Sequence, residues 1–211
     1  VPARGSASVD VLLGMAETRT AARALVDKYQ SVRMADRARD LAWTHSQVTL
    51  HQLNATEAEA QLYGRLAGAL VYADAARRAA PGVLRQNRRG QSGLWSYGIS
   101  GDAPLVLLRI GDLEHIELVR QLIQAHSYWR MKGLSVDLVI LHEDTSVYRD
   151  ALPDRITGLI SSGIEAQLLD KPGGIFVRRL EQIADADRLL LQCAARIVLE
   201  DDKGTLTQQL D

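Results

Sequence analysis

The sequence predicts an α/β protein with helices in its first half and a small, mainly parallel sheet covered by helices in its second. Residues 1–80 are rich in Ala and Arg and poor in β-branched residues. Residues 105–199 alternate short apolar runs with helical patterns. Strands that alternate with helices are joined by right-handed crossovers, which place the strands parallel in one sheet. The composition therefore divides the chain into two unlike halves.

The overall composition is that of an ordinary globular protein. The 211 residues include 25 Lys+Arg and 26 Asp+Glu, and 46% of them are hydrophobic. This charge balance argues against a generally basic nucleic-acid binder. No apolar run approaches the roughly 18 residues that a membrane helix needs. One cysteine, Cys193, excludes an internal disulfide, and its place on an apolar helical face indicates a buried small hydrophobe.

Three helices are predicted in the first half, at residues 18–29, 33–53 and 56–79. Thr56 is a capping residue type, and the acidic side chains that follow it suit the positive end of a helix dipole. Pro81 and Gly82 are expected to end the third helix. Residues 8–13 alternate weakly and suggest one strand, which has no obvious partner nearby.

Five glycines fall between Pro81 and Pro104, so this stretch is interpreted as a linker or long loop. The predicted division is therefore residues 1–80, a linker at 81–104, and an α/β module at 105–211. The elements of the module follow in chain order. They are a strand at 105–110, a helix from Asp112 to Gly133, a strand at 136–142, a helix at 148–162, short strands at 166–169 and 175–177, and a helix at 185–200.

One candidate site follows the second predicted strand, where His142, Glu143 and Asp144 come in succession. Ligands of open α/β sheets bind at the carboxyl ends of the strands. His142 with Glu143 could carry out acid–base chemistry. A polar loop after a buried strand is the simpler interpretation, because loops are normally polar.

A second candidate site is the glycine-rich stretch that contains Trp95, Tyr97 and Asp102. A phosphate loop follows a strand and opens a helix, whereas this stretch precedes a strand and lacks Gly-Lys-Ser/Thr. A turn is therefore favoured over a nucleotide loop. Trp95 and Tyr97 could stack on sugar rings, and an exposed aromatic residue equally marks a protein contact.

Five arginines crowd thirteen residues that contain no acid. Such a cluster could bind phosphate or an acidic partner, and a solvated linker or docking to another domain is favoured. The cluster consists of Arg77, Arg78, Arg85, Arg88 and Arg89.

Asp185-Ala186-Asp187 has the Asp-x-Asp form that some sugar transferases use to hold a divalent ion. A simpler interpretation is that Asp185 caps a helix and Asp187 lies in its first turn. His126 lies on an apolar helical face and is expected to be a core histidine. We therefore predict no metal site and no cofactor.

Several stretches resemble the bacterial cyclic β-1,2-glucan synthases. The most specific is Trp95-Ser96-Tyr97-Gly98-Ile99-Ser100-Gly101-Asp102, and others are His126-Ser127-Tyr128-Trp129-Arg130 and Pro172-Gly173-Gly174. The resemblance implies a very large multi-pass inner-membrane parent. In that family a glycosyltransferase family 84 region makes the glucan from UDP-glucose, and a region like the glycoside hydrolase family 94 phosphorylases controls chain length.

The resemblance places this chain between those two regions. It implies a strand left over from a sugar-binding β-sandwich, linker helices, and a Rossmann-like three-layer module. Neither catalytic region is matched, so no catalytic residue can be assigned. The expected role is noncatalytic: it positions flanking domains of the synthase and contacts β-1,2-glucan, as part of a membrane protein but without spanning the membrane itself, on the cytoplasmic side.

Two alternatives remain open from the sequence. The module could bind a nucleotide or sugar at the strand edge around His142, Glu143 and Asp102. It could also be a self-association module.

Overall fold

The computed structural model describes residues 4–7, 9, 11–143, 151–163 and 165–211. The chain forms two compact units, Val1–Gln52 and Leu53–Asp211. The division predicted at residues 80 and 104 follows composition and stays a prediction.

The first unit contains two helices, α1 (Arg19–Tyr29) and all but the last residue of α2 (Val32–Leu53). The hydroxyl of Thr18 accepts a hydrogen bond from the backbone N–H of Ala21 and caps α1. The predicted strand at 8–13 is not formed where the structure describes it. Val9 and residues 11–13 have no regular secondary structure, while Ser8 and Asp10 lie outside the described residues. A lone strand has no ladder partner to stabilise it.

The second unit opens with helix α3 (Glu57–Tyr72), which begins as the sequence predicts. The Thr56 hydroxyl accepts from the Glu59 N–H, and the Glu59 carboxylate accepts from the Thr56 N–H at 2.8 Å. This capping box lowers the pKa of Glu59, with the Thr56 backbone hydrogen bond as the largest cause. The helix ends earlier than predicted, because Ala73 adopts a left-handed conformation with a φ of 54°.

The stretch predicted to be a linker contains two short helices, α4 (Pro81–Gln86) and α5 (Ser92–Trp95). Pro81 therefore begins a helix instead of ending one. Proline suits the first position of a helix, because the N–H that it lacks would have no partner there.

The remaining chain alternates strands and helices around a four-stranded sheet. The strands are β1 (Leu105–Ile110), β2 (Asp137–His142), β3 (Ile175–Arg179) and β4 (Ile197–Glu200), and the helices are α6 (Ile116–Met131), α7 (Ala151–Ser161), α8 (Asp185–Ala194) and α9 (Leu206–Leu210). The strand order is β3-β2-β1-β4, and every pair is parallel. The predicted Rossmann-like parallel module is confirmed.

Two predicted elements of this module were wrong. Residues 197–200 form β4 instead of the end of a helix, because the backbone N–H of Arg196 donates to the Leu105 carbonyl and the chain then pairs with β1. Residues 166–169 are not a strand. They form a 3₁₀ turn at Ala166–Leu168, after which Leu169 makes a single bridge to Ile175.

The sheet is buried between two helical layers. On one face, apolar side chains of the strands pack with α3, α6, α7 and α9, and those of β1 and β2 are Val106, Leu108, Ile110, Leu138 and Ile140. The opposite face packs with α8 and with the segment around α5, through Leu105, Leu107, Val139, Leu141 and Phe176. This arrangement gives the three layers that the sequence predicts. Within the described ranges, every helix is too short or too polar to cross a bilayer.

Strand β4 is an edge of the described sheet, and the side chain of Gln209 covers its last residue. The Gln209 amide accepts from the Glu200 N–H at 3.2 Å and donates to the Glu200 carbonyl at 2.8 Å. Helix α9 thereby satisfies both backbone groups of Glu200.

Candidate functional site

The carboxyl end of β2 carries the first predicted site, where Glu143 is paired with an arginine. His142 ends the strand and is buried. Glu143 accepts a hydrogen bond from the guanidinium of Arg109, on β1, at 3.1 Å. Successive side chains of an extended chain point to opposite faces, so adjacent residues such as these are poorly placed to act on one substrate atom. Asp144, the third predicted residue, lies outside the described residues.

Strand β1 has β2 on one side and β4 on the other, so the strand order reverses between β1 and β4. Doubly wound proteins bind their ligands at such a switch point. A carboxylate oxygen of Asp201 accepts hydrogen bonds here from the N–H groups of Gly111 and Asp112, at 2.9 and 3.0 Å. Burial raises the pKa of Asp201, but these bonds and His115 outweigh burial, and the net pKa is lowered. These two N–H groups, which could otherwise bind an anion, are already bonded to the protein's own carboxylate.

Trp95 and Asp102 belong to one local hydrogen-bond cluster. The indole N–H of Trp95 donates to the Ser100 carbonyl at 3.2 Å, and the Gln91 amide donates to that carbonyl and to Asp102. Trp95 is 64% exposed although its indole N–H is hydrogen-bonded. Asp102 precedes β1, while His142 ends β2. A six-residue strand spans about 20 Å. Asp102 and His142 therefore lie at opposite ends of the strands and do not form one site.

Tyr97 lies elsewhere and makes a contact that the sequence did not predict. Its hydroxyl donates to the carboxylate of Asp187 at 3.0 Å, and Arg89 donates to the other oxygen of Asp187 at 2.8 Å. Burial raises the pKa of Tyr97, and the bond to Asp187 adds to this effect. Asp187 is thus a tether that holds the segment around α4 and α5 on helix α8.

The Asp-x-Asp stretch does not have its predicted capping role. Ala184 is the capping residue, without a side-chain hydrogen bond, and Asp185 is 94% exposed beside Arg188. Asp187 lies in the first turn, as predicted, but serves the tether. In the part of the chain that the structure describes, no group of three or more His, Cys, Asp or Glu side chains could hold a metal ion.

Three of the five clustered arginines bind groups within the second unit. The guanidinium of Arg77 donates to the carbonyls of Gln209 and Leu210, and Arg78 donates to the Cys193 carbonyl at 2.9 Å. Arg89 is the partner of Asp187. Arg85 and Arg88 are exposed, and the contact between them is Arg88 donating to the Arg85 carbonyl. These two remain candidates for docking a neighbouring domain.

The tether predicts a measurable difference between the two aspartates. We expect Asp187→Ala to destabilise the protein by about 1–2 kcal/mol, since it leaves the half-buried Tyr97 hydroxyl without its acceptor. The matched variant Asp185→Ala removes an exposed carboxylate and is expected to cost less than about 0.5 kcal/mol. Urea unfolding of both variants measures the difference, and equal losses would contradict the tether.

Comparison with known proteins shows one relationship over the whole chain. No protein-family model matches. The chain is 30% identical over all 211 residues to the cyclic beta-(1,2)-glucan synthase NdvB of Rhizobium meliloti (strain 1021). The chain is therefore similar to one segment of NdvB. It spans 8% of the length of that relative.

The chain also contains a buried charged cluster that its sequence predicts only in part. His126 is buried, as predicted, and its Nδ1 lies 2.9 Å from the carboxylate of Glu165. Its Nε2 donates to the carbonyls of Val136 and Gly173. Arg130 donates to the other oxygen of Glu165 at 3.2 Å.

Glu165 was missed because nothing in its local pattern marks a buried acid. The available signal was the spacing of His126 and Arg130, four residues apart and so on one helix face. Burial raises the pKa of Glu165, but the hydrogen bond and charge of His126, with Ser127 and Arg130, outweigh burial and lower it overall. The cluster ties α6 to the turns that lead into β2 and β3.

Proposed function

We propose that the chain is a noncatalytic structural segment of a cyclic β-(1,2)-glucan synthase that positions flanking domains and contacts the glucan. The 30% sequence identity to NdvB, which extends over all 211 residues, supports a place in such a synthase. The noncatalytic role is supported by the filled switch point, where Asp201 occupies the N–H groups of Gly111 and Asp112. Glu143 at the same edge is paired with Arg109.

In this proposal the parent protein is the enzyme, a glycosyltransferase that makes cyclic β-1,2-glucan from UDP-glucose. The chain lies between its transferase region and its phosphorylase-like region, on the cytoplasmic side of the inner membrane. The other domains of the synthase are its partners, and the exposed Arg85 and Arg88 are the residues we assign to docking.

The noncatalytic role is tested by Glu143→Gln in a full-length synthase that contains this chain. A general acid or base contributes about 10²- to 10⁴-fold to a rate. We expect the glucan synthesis rate to change by less than about twofold, as it does for the control Glu181→Gln at an exposed position. A loss of about 100-fold in a folded variant would show a catalytic role instead.

The positioning role needs a separate measurement, because a noncatalytic segment could also be dispensable. Deleting residues 82–200 from the synthase is expected to alter glucan length and cyclisation. The charge reversal Arg85→Glu with Arg88→Glu, which leaves the core intact, is expected to change product length in the same direction. An unchanged product distribution in both proteins would overturn the role.

The glucan contact is assigned to Trp95, whose exposed ring can lie against the C–H face of a pyranose. We expect linear β-1,2-gluco-oligosaccharides to shift amide NMR signals between Trp95 and Asp102 in the 211-residue chain. Trp95→Ala is expected to weaken binding about tenfold. Trp43 is similarly exposed, at 68%, so Trp43→Ala is the matched control and should leave the affinity unchanged. The absence of shifts at millimolar ligand would contradict the contact.

A further inference from the structure

A groove of about 400 Å³ lies in the second unit, where the start of α4 meets α8, β4 and α9. This volume is within the range of small-molecule sites. Its buried lining is apolar, with Ala79 and Leu199, and Val83 and Val198 are half-buried beside them. Polar side chains also line it, and they are Arg77, Arg78, Gln192, Glu200, Lys203, Gln208 and Gln209.

The cations of the groove are largely engaged with groups of the protein itself. Lys203 pairs with Glu200 at 3.0 Å, and Arg77 pairs with Asp74 at 3.4 Å. Arg78 donates to the Cys193 carbonyl. Carboxylates therefore neutralise Lys203 and Arg77, whereas Arg78 keeps its positive charge. The amide of Gln192 can both donate and accept. Hydrogen-bonding side chains beside a small apolar floor suit a ligand that is rich in hydroxyl groups.

We infer that this groove is a saccharide-binding subsite that takes β-1,2-linked glucose residues. The apolar side chains suit the C–H face of a pyranose, and the Gln192 amide and the Glu200–Lys203 ion pair suit its hydroxyl groups. The assignment of the ligand rests on the proposed function, since the glucan is what such a synthase makes. The subsite is separate from Trp95, which is hydrogen-bonded to Ser100 and does not line the groove.

Two variants test the subsite by different means. Gln192→Leu keeps the size of the side chain and removes its hydrogen-bonding groups, so the affinity for linear β-1,2-gluco-oligosaccharides should fall about threefold to tenfold. Ala80→Trp fills the groove from an exposed position and should abolish binding there. Gln86→Leu changes the same residue type at the exposed end of α4, outside the groove, and should have no effect.

Amide NMR of the full 211-residue chain identifies where the oligosaccharide binds. Shifts at Gln192 and Val198 that disappear in Ala80→Trp support the subsite. Shifts confined to Trp95–Asp102 overturn it and leave the glucan contact of the proposed function intact. An absence of shifts overturns both glucan contacts. It leaves the noncatalytic role in place, because that role is tested by the rate of glucan synthesis in the Glu143→Gln synthase. Equal shifts with inorganic phosphate overturn the assignment to a neutral saccharide.

Discussion

Replacing Glu165 by leucine is expected to destabilise the protein by about 3–5 kcal/mol, the usual cost of breaking a buried ion pair by removing one partner. The Glu165 side chain is fully buried, and His126 is 1% exposed. Without the carboxylate, Nδ1 of His126 loses its partner inside the core while Nε2 still donates to two carbonyls. Urea unfolding measures the loss.

The double variant His126→Leu with Glu165→Leu separates the ion pair from simple packing. It leaves no unpaired buried charge, so we expect it to be more stable than Glu165→Leu alone. A single-variant loss below about 1 kcal/mol, or a double variant less stable than the single one, would contradict the cluster's role.

The same carboxylate gives stability a predictable dependence on pH. Because the folded pKa of Glu165 lies below its ordinary value of 4.5, the folded protein binds this proton more weakly than the unfolded chain does. The stabilisation is therefore present above about pH 4.5 and is lost as the pH falls through the folded pKa. The stability difference between the parent chain and Glu165→Gln should be largest at neutral pH and shrink in acid.

Gly174→Ala is the second variant with a large expected effect. A methyl group at this position would overlap the carbonyl oxygen of Leu168 and lie 2.8 Å from that of Lys171. Both obstacles are backbone atoms, and the Gly174 carbonyl also accepts from the Leu138 N–H at the start of β2. We expect a loss of about 3 kcal/mol.

A glycine in open space provides the control for this steric argument. Gly64 lies within α3, and a methyl group there would meet nothing within 4 Å. Gly64→Ala is expected to stabilise the helix by about 0.5–1 kcal/mol. Thermal unfolding should therefore show a lower melting temperature for Gly174→Ala and a higher one for Gly64→Ala. A melting temperature unchanged by Gly174→Ala would contradict the close packing.

The buried strands could be predicted because their signal is local. Residues 105–110 form an apolar run typical of a parallel strand covered on both faces, and the structure has β1 at these residues. Gly133, with a φ of 84°, follows α6 as its closing residue, as predicted.

Strand β4 could not be predicted, because its residues continue the helical pattern before them. Ile197 and Val198 follow Leu190 and Ala194 at helical spacing, which favours a longer helix. Pairing with β1, some ninety residues earlier, decides otherwise. A contact between residues so far apart in the sequence cannot be recognised from the pattern of a short stretch.

The candidate sites show the same limit. Sequence alone identified Trp95 as an aromatic residue able to meet a ligand, and it is exposed. It could not show that Tyr97 and Arg89 share the carboxylate of Asp187, because those pairs are 90 and 98 residues apart. Residue types indicate which chemistry is available, whereas the fold determines which groups already have hydrogen-bond partners.

The side-chain amide of Gln209, which bonds the backbone of Glu200 at the end of β4, limits how another chain can bind to this edge strand. An edge strand with unpaired backbone groups is a template on which another chain can extend the sheet. Here the side chain of α9 takes the place of that incoming strand at Glu200. Any partner is therefore expected to meet this end of the unit through helices and side chains, and the Gln209 amide also hinders strand addition at Glu200.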